Sequence, residues 1–517
     1  MWTSRRAALL FGGTSIALGG LAYVQDQFNV VRLSKAAYAV GRISLDYKFS
    51  DDDIAEIHLR SSMRLAQTFL DLGSVFIKAG QHISAMNQVL PREWTDPCKV
   101  CQDKAPFRPF DEIKEFLGKE FRDPQFLDNN FSEFEPVPIA AASLAQVHRA
   151  VLKDGREVAV KVQYPRLQEY LETDCRTIDL MCRAVEFLFP KFKLGWLIRE
   201  FEANIPAESN FVLEGHNADR TRQVFKDNHD VVVPTIEWPL TCKTVLTMEY
   251  VRGTKVTDLG ELSRIGISPF RVSRLISETF SYQIFNAGWV HCDPHPGNLM
   301  INEKGQLVLL DHGLYRQLDD DFRLEYANLW LNLLLKDKSG VRDSAVRLGV
   351  KESLYPLLAT MMTSRHWEQA PVAFHQKASA SERDALKNIG SAEIAQMTNV
   401  LSSVPSQMLL LFKCNDLMRS VQMDLGLPTD YFLVLGSAAN RAVQSYAPSS
   451  PQTMALRPHI QQLVSWRNRL RLRLSLMGIW VYVRVWQKLV QALESPFYSW
   501  LRSFQTWSLS LDRANST

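Results

Sequence analysis

Asp293, Asn298 and Asp311 form a spaced set of oxygen-bearing side chains. His-Cys-Asp-Pro-His-Pro-Gly-Asn at 291–298 sets Asp293 five residues before Asn298, and Leu-Leu-Asp-His-Gly sets Asp311 thirteen residues after Asn298, at the end of an apolar strand. Phosphoryl transfer needs one carboxylate to orient the attacking oxygen and others to hold Mg²⁺ against the phosphates. Asp293 suits the first task. Asn298 and Asp311 suit the second, because Mg²⁺ prefers hard oxygen ligands. Gly313 would let the backbone turn sharply beyond Asp311. Upstream, Val-Ala-Val-Lys-Val-Gln places Lys161 in mid-strand among apolar neighbours, where an ammonium needs a counter-charge. Glu214, in a helical stretch, is a suitable partner, and the pair would leave the ammonium aimed at the α- and β-phosphates. Backbone groups around Met248, Glu249, Tyr250 and Val251 could bind an adenine edge. Each motif alone is common by chance. The ordered series of strand lysine, helix glutamate, hinge, Asp-x4-Asn and Asp-x-Gly is not.

These residues need elements to position them. Val-His-Arg-Ala-Val-Leu-Lys-Asp-Gly-Arg-Glu-Val-Ala-Val-Lys-Val-Gln reads as two strands joined by a Lys-Asp-Gly turn. Strands recur at 231–251 and in Leu-Met-Ile-Asn-Glu-Lys-Gly-Gln-Leu-Val-Leu-Leu-Asp. Helical spacing runs from His58 to Leu90, with Leu65, Phe69, Leu72 and Phe76 on one face, and again at 193–220 and through most of 270–445. Pro91 stops the first run, and residues 91–110, with four prolines, read as a connector. A small β-rich lobe thus precedes a large helical one, a common way to hold a nucleotide.

The chain has 59 Lys and Arg against 56 Asp and Glu, a net charge of +3, too balanced for a protein that mainly grips nucleic acid. Seven scattered cysteines exclude a secreted disulfide framework. Cys98 and Cys101 form one C-x-x-C with no second pair to complete a zinc site, and read as an incidental pair on a loop.

Three further motifs carry a resemblance. Pro-Ile-Ala-Ala-Ala-Ser-Leu-Ala-Gln-Val-His at 138–148 is an alanine-rich loop where ordinary kinases have glycines, Lys-Ala-Gly-Gln at 78–81 matches a K-x-G-Q signature, and His-Cys-Asp-Pro-His-Pro-Gly-Asn completes the set. From about residue 30 to 445 the chain resembles the protein-kinase superfamily in its atypical UbiB, or aarF-domain-containing (ADCK), branch. Within it, the N-terminal stretch and Leu309–Tyr315 look most like the mitochondrial subgroup numbered first. The resemblance implies an α+β, protein-kinase-like two-lobed fold. Its parts would be a targeting or transmembrane segment at 1–24, a helical extension at 25–135, an N-lobe at 136–254, a C-lobe at 255–445 and a tail at 446–517. It implies ATP and Mg²⁺ as cofactors, Lys161 as the nucleotide lysine with Glu214 as helix partner, Asp293 as the catalytic-loop aspartate, and Asn298 and Asp311 as metal ligands. Ala140, Ala141, Ala142 and Ser143 would form the phosphate-side loop, stiffer than one of glycines. Lys78, Gln81 and Glu208 would form a gate, since in the family the extension covers the cleft where a peptide would lie. That favours an atypical kinase or ATPase acting in mitochondrial lipid or quinone homeostasis over a typical protein kinase. The alternative is a catalytically weak nucleotide-dependent switch or scaffold at the inner membrane. Two departures matter. Cys292 stands where many kinases carry arginine, so a phosphorylated activation loop would lack that partner. Asn210 replaces the aspartate of the branch's Glu-x-Asp, which puts a metal or gating role there in doubt.

Residues 7–24 carry no charge over 18 residues and follow Arg5 and Arg6. As a helix they rise about 27 Å against a roughly 30 Å hydrocarbon core. They read as a single-pass mitochondrial anchor, or else as a cleaved presequence. Residues 446–453 read as a linker. Residues 455–517 hold nine basic and two acidic residues with five tryptophans. That mix suits a membrane interface, although the alternation Arg467, Arg469, Arg471, Arg473 has the period of a strand. The expected partners are mitochondrial membrane lipids and inner-membrane proteins, with no nucleic acid.

Overall fold

The computed structural model describes residues 29–84, 90–103, 107–141, 143–190, 194–292, 296–363, 404–425 and 431–445, together with Leu474, Met477, Val481, Val485 and Lys488, which are helical. The expected anchor at 7–24, the linker at 446–453, Arg467 to Arg473, Ala142 and Asp293 lie outside the described residues. Among the described residues no helix is long and apolar enough to cross a membrane.

The chain divides into two compact units. The first comprises residues 1–253, 291–316 and 383–416. Its frame is a five-stranded antiparallel sheet. The strands β1 (Phe131–Phe134), β3 (Ala145–Leu152), β4 (Glu157–Gln163) and β6 (Val245–Glu249) lie side by side in that order, and β2 (Ala140–Ala141) pairs with β3. The expected strand–turn–strand is β3–β4, closed at Gly155 with φ +88°. Two helices, α6 (Phe110–Glu120) and α7 (Phe126–Asn130), cover one face, where Ile113, Leu117 and Phe126 pack on Val158, Val160 and Val245. Alternation along β4 sends those valines to this core and Ala159, Lys161 and Gln163 to the other face. A smaller sheet holds β5 (Val231–Val232) parallel to β8 (Leu307–Leu309), which pairs antiparallel with β7 (Leu299–Asn302).

The extension is helical: α1 (Val30–Phe49), α2 (Ile54–Leu72), α3 (Val75–Ser84), α4 (Arg92–Cys98) and α5 (Val100–Asp103). Two expectations are corrected here. The continuous helix from residue 58 breaks at Gly73 and Ser74, whose φ values are +68° and +55°. The connector at 91–110 contains two helices, because Pro91 sits at the N-cap of α4, where a missing N–H costs nothing. Phe69, Leu72, Phe76 and Ile77 form a core with Ala36 of α1 and Ile205 of a later helix. Arg32 of α1 donates two 2.7 Å hydrogen bonds to Asp174, which is fully buried on α8 (Leu167–Leu188).

The second unit comprises residues 254–290, 317–382 and 417–517. Its centre is α12 (Asp320–Leu335), which packs against α13 (Lys338–Arg347) and α14 (Tyr431–Ser445), and α14 packs in turn on α11 (Pro269–Tyr282). Every residue of α12 from Leu324 to Leu335 is buried, so the helix is enclosed on every side. Asp320 and Asp321 in its first turn favour its positive end. Trp330 is fully buried against Tyr431 and Phe432.

Candidate nucleotide site

The first unit brings most of the expected residues together around one pocket, which Lys78, Ser143, Lys161, Glu208, Glu214 and Asp311 line. Lys161 is central. Its register, opposite Val147 on β3 and Leu246 on β6, fixes it in the middle of the sheet. Glu214 comes from α10 (Phe211–Val224) and accepts from Lys161 Nζ at 2.6 Å. Asp311 Oδ2 accepts from the same nitrogen at 3.2 Å. The ammonium also sits 4.9 Å from the ring centre of Phe211.

Burial alone would lower the lysine's pKa, but the charges of Asp311 and Glu214 outweigh it and hold the group well above its usual value. Burial pushes Glu214 up to about 7, against the pull of Lys161. Asp311 is held well below the carboxylate range: burial opposes this, while Lys161 and the Gly313 amide favour the anion. The Gly313 N–H donates to Asp311 Oδ1 at 2.9 Å. The chain bends at Gly313, as expected, and does so without a positive φ. Its missing side chain gives room instead, because a Cβ there would lie 3.2 Å from Asp311 Oδ1.

Asn298 reaches the same neighbourhood through the β7–β8 hairpin. Leu299 faces Leu309, and the Leu310 N–H donates to the Asn298 carbonyl at 3.0 Å. The thirteen-residue spacing of Asn298 and Asp311 is thus the length of a hairpin that returns the chain to its start. Asp293, between Cys292 and this hairpin, lies outside the described residues, as does Ala142. Ala140 and Ala141 are a short strand, paired with Val147 and Gln146, and Ser143 follows at the pocket wall.

The hinge residues lie at the end of β6. Met248 pairs with Ala159 and is buried, while Glu249 is exposed. The Glu249 amide donates to Thr235 and the Tyr250 amide to Glu157, so these two donors already serve the protein. Val251 follows beyond the strand.

The K-x-G-Q residues do separate jobs. Lys78 Nζ lies 2.9 Å from Glu208 Oε2, both buried, at the end of α9 (Gly195–Glu208). Gln81 points elsewhere and donates to the Cys101 carbonyl at 3.0 Å. Gly80 permits the contact, since a Cβ there would lie 2.4 Å from Cys101 Sγ. Cys98 and Cys101 are therefore not an incidental loop pair. Both are fully buried in helices, and burial pushes their thiols up to about 12 and about 11.

Asn210 has a structural task. It is the N-cap of α10, and its Oδ1 accepts from the Val212 N–H at 3.2 Å. Asn and Asp are equally good caps, so the departure leaves the helix that carries Glu214 intact.

Several residues that position this site were not singled out in the sequence. Asn217 donates to the His312 carbonyl at 2.9 Å, fixing the Asp-His-Gly segment to α10. Its signal was its place three residues after Glu214, on the same helix face. Gln163, two residues beyond Lys161, donates to the Ser209 carbonyl at 2.7 Å and holds the start of α10. Gln146 and His148, both fully buried, tie Arg108 and Glu135 to β3. His312 Nε2–H donates to the Leu309 carbonyl at 3.1 Å, its Nδ1 lies 3.0 Å from the Tyr315 hydroxyl, and burial lowers its pKa to about 3.

The donor set fits Mg²⁺ with a phosphate. Asp311 keeps 32% of its side chain open, against 2% for Glu214, and Asn298 adds an amide oxygen. One carboxylate and one carbonyl oxygen leave coordination positions for phosphate and water, as Mg²⁺ sites do. Among the described residues no group of three His, Cys, Asp or Glu could hold a metal by itself.

Residues 100–345 match the ABC1 atypical kinase-like domain. The chain is similar to AarF domain-containing protein kinase 1 of Gallus gallus, at 36% identity over 92% of this chain and 96% of that one. The Mus musculus protein of the same name is 38% identical over 82% and 85%. A probable serine/threonine-protein kinase of Dictyostelium discoideum, abkD, is 33% identical over 86% of this chain and 66% of that one. The similarity to the first-numbered subgroup is the one expected from the motifs, and the chain belongs to the ABC1/AarF (UbiB) family of atypical kinase-like proteins.

Proposed function

We propose that the protein is an atypical kinase or ATPase that uses Mg-ATP. The observation that carries this is Lys161 held between a buried Glu214 and a half-open Asp311 in one pocket. In that reading Lys161 binds the α- and β-phosphates, Glu214 keeps the ammonium in place, and Asn298 and Asp311 hold the metal. Mg²⁺ would neutralise charge on the transferring phosphate. Asp293 would orient the attacking oxygen, Ala140, Ala141, Ala142 and Ser143 would face the phosphates, and the chain near Met248, Glu249 and Val251 would take the base. The test is Mg²⁺-dependent phosphate release from ATP by the full chain, beside Asp311→Asn. Turnover in the wild type that is lost in the variant supports the reading. Equal turnover in both rejects it.

A nucleotide-dependent switch is the second reading. The Lys78–Glu208 pair favours it, because it brings the extension into the pocket wall beside Lys161. Nucleotide-dependent thermal stabilisation without turnover would select it. We further propose a mitochondrial setting, with residues 7–24 as a single-pass anchor in the inner membrane and a role in lipid or quinone homeostasis. The acid-free, Arg-led N-terminus and the family resemblance support this. Import assays and protease protection of the full chain test it, and a protein found outside mitochondria would refute it.

A further inference from the structure

Helix α1 has a second face that, among the described residues, nothing in the first unit covers. Val31, Tyr38 and Leu45 recur every seven residues and Phe49 follows by four, so all lie on one side. Their exposures are 64%, 70%, 50% and 72%. Lys35 and Arg42 stand four residues after Val31 and Tyr38 on the same side, and both are exposed, as is Lys48. The one acidic residue of the helix, Asp46, turns away and pairs with Arg60 and Arg64. Along the helix the outward face is therefore apolar and basic, and the exposed Asp51, Asp52 and Asp53 follow beyond its end, where Asp52 pairs with Arg60. On the opposite, inward side Tyr47 meets Phe189 with ring centres 6.3 Å apart.

We propose that this face of α1 lies flat on an anionic bilayer surface. Aromatic and aliphatic side chains interleaved with Lys and Arg are the composition of a helix that rests at the headgroup boundary. Charge complementarity selects anionic lipid over a neutral surface. The chain before the helix agrees. The uncharged stretch 7–24 ends five residues before Asn29, the N-cap of α1. A segment of that composition in a bilayer would hold α1 at the interface. The inward side gives the helix a firm seat, through Arg32 on buried Asp174 and above the Phe76 ring at 5.5 Å. This proposal does not depend on the nucleotide reading.

The test uses the full chain with a dansyl-bearing amino acid in place of Tyr38. The control has it in place of Met63, an exposed residue of α2. Vesicles are phosphatidylcholine alone, or phosphatidylcholine with phosphatidylglycerol, each with and without brominated acyl chains. The expected result is a blue shift and bromine quenching at position 38 on the anionic vesicles. Neither should appear at position 63. Lys35→Glu with Arg42→Glu should abolish the shift without lowering the melting temperature. An aqueous emission at position 38 in vesicle-bound chain overturns the proposal, as does an equal response at position 63. A blue shift without lipid that grows with protein concentration assigns the face to a second copy instead. A chain that does not associate with anionic vesicles also overturns it.

Discussion

Two buried lysines, Lys161 and Lys78, line the same pocket, and their settings differ. Lys161 stands on a central strand whose neighbours fix its register, and it has two carboxylates, one of them open to the pocket. Lys78 comes from a helix of the extension and meets Glu208, which is buried with it. In the proposed reading the first pair would exchange a carboxylate for a ligand, with Asp311 turning to a metal while Glu214 keeps the ammonium neutralised. The second pair joins two helices and makes the pocket wall depend on how the extension packs. Under the proposed function the same ion-pair chemistry would serve binding in one place and attachment in the other.

Removing Lys161 should have the largest effect. Lys161→Ala leaves Glu214 and Asp311 without their shared cation, and phosphate release should fall about 100-fold, as for loss of a preorganised charge. Steady-state kinetics with Lys78→Ala alongside sharpens the contrast, since that variant should lose less turnover. If both lysines prove equally dispensable, the distinction between them collapses.

The attachment side is broken next by Arg32→Ala, which strands Asp174 in the core. Loss of one partner of a buried pair costs about 3 kcal/mol, read as a fall in melting temperature. Arg32→Lys should recover only part, because the bidentate fork is lost.

Gly80→Ala tests the packing behind Lys78. The new methyl meets Cys101 Sγ at 2.4 Å and Phe69 at 3.1 Å, and overpacking of this kind costs about 1–3 kcal/mol. Adding Cys101→Ala should restore much of the loss, and a double-mutant cycle measures the coupling. Additive losses would show that the Gly80–Cys101 contact carries no strain.

Asn210 gives a smaller and sharper test. Asn210→Asp should be neutral and Asn210→Ala should cost about 1 kcal/mol by chemical denaturation, because the residue caps α10. A large loss with aspartate would contradict the capping role.

The smallest expected effect is in pH. Burial lowers the pKa of His148 from 6.5, so the folded chain binds fewer protons there than the unfolded one. Its contribution is present above pH 6.5 and is lost as the pH falls from there toward the folded value. Melting temperatures across that range should show a shallower acid slope in His148→Asn.

The strands and the chemistry of the site were largely legible, for physical reasons. A period of two with a Lys-Asp-Gly turn leaves little choice but a hairpin, and a lysine amid valines demands a carboxylate. The spacing of Asn298 and Asp311 also matched a hairpin closure. What was not legible depended on distant partners. Nothing local to Gln81 names the Cys101 carbonyl, and nothing local to Cys101 announces that Gly80 will pack on it. Prolines at 91 and 97 suggested a connector, because composition does not distinguish a proline at a helix start from one in a loop. Asn210 is a readable signal, a cap-forming residue just before a helical run, but the Glu-x-Asp pattern draws attention to its missing charge instead. The outward face of α1 was hidden because a helix's apolar residues are expected to face inward until its neighbours are known.

The central claim is that Lys161, Glu214 and Asp311 bind a Mg-nucleotide. Calorimetric titration of the full chain with ATP, with and without Mg²⁺, tests it most directly, beside Lys161→Ala. The account predicts binding by the wild type that weakens without Mg²⁺ and is lost in the variant. Binding that is unchanged in Lys161→Ala would contradict it.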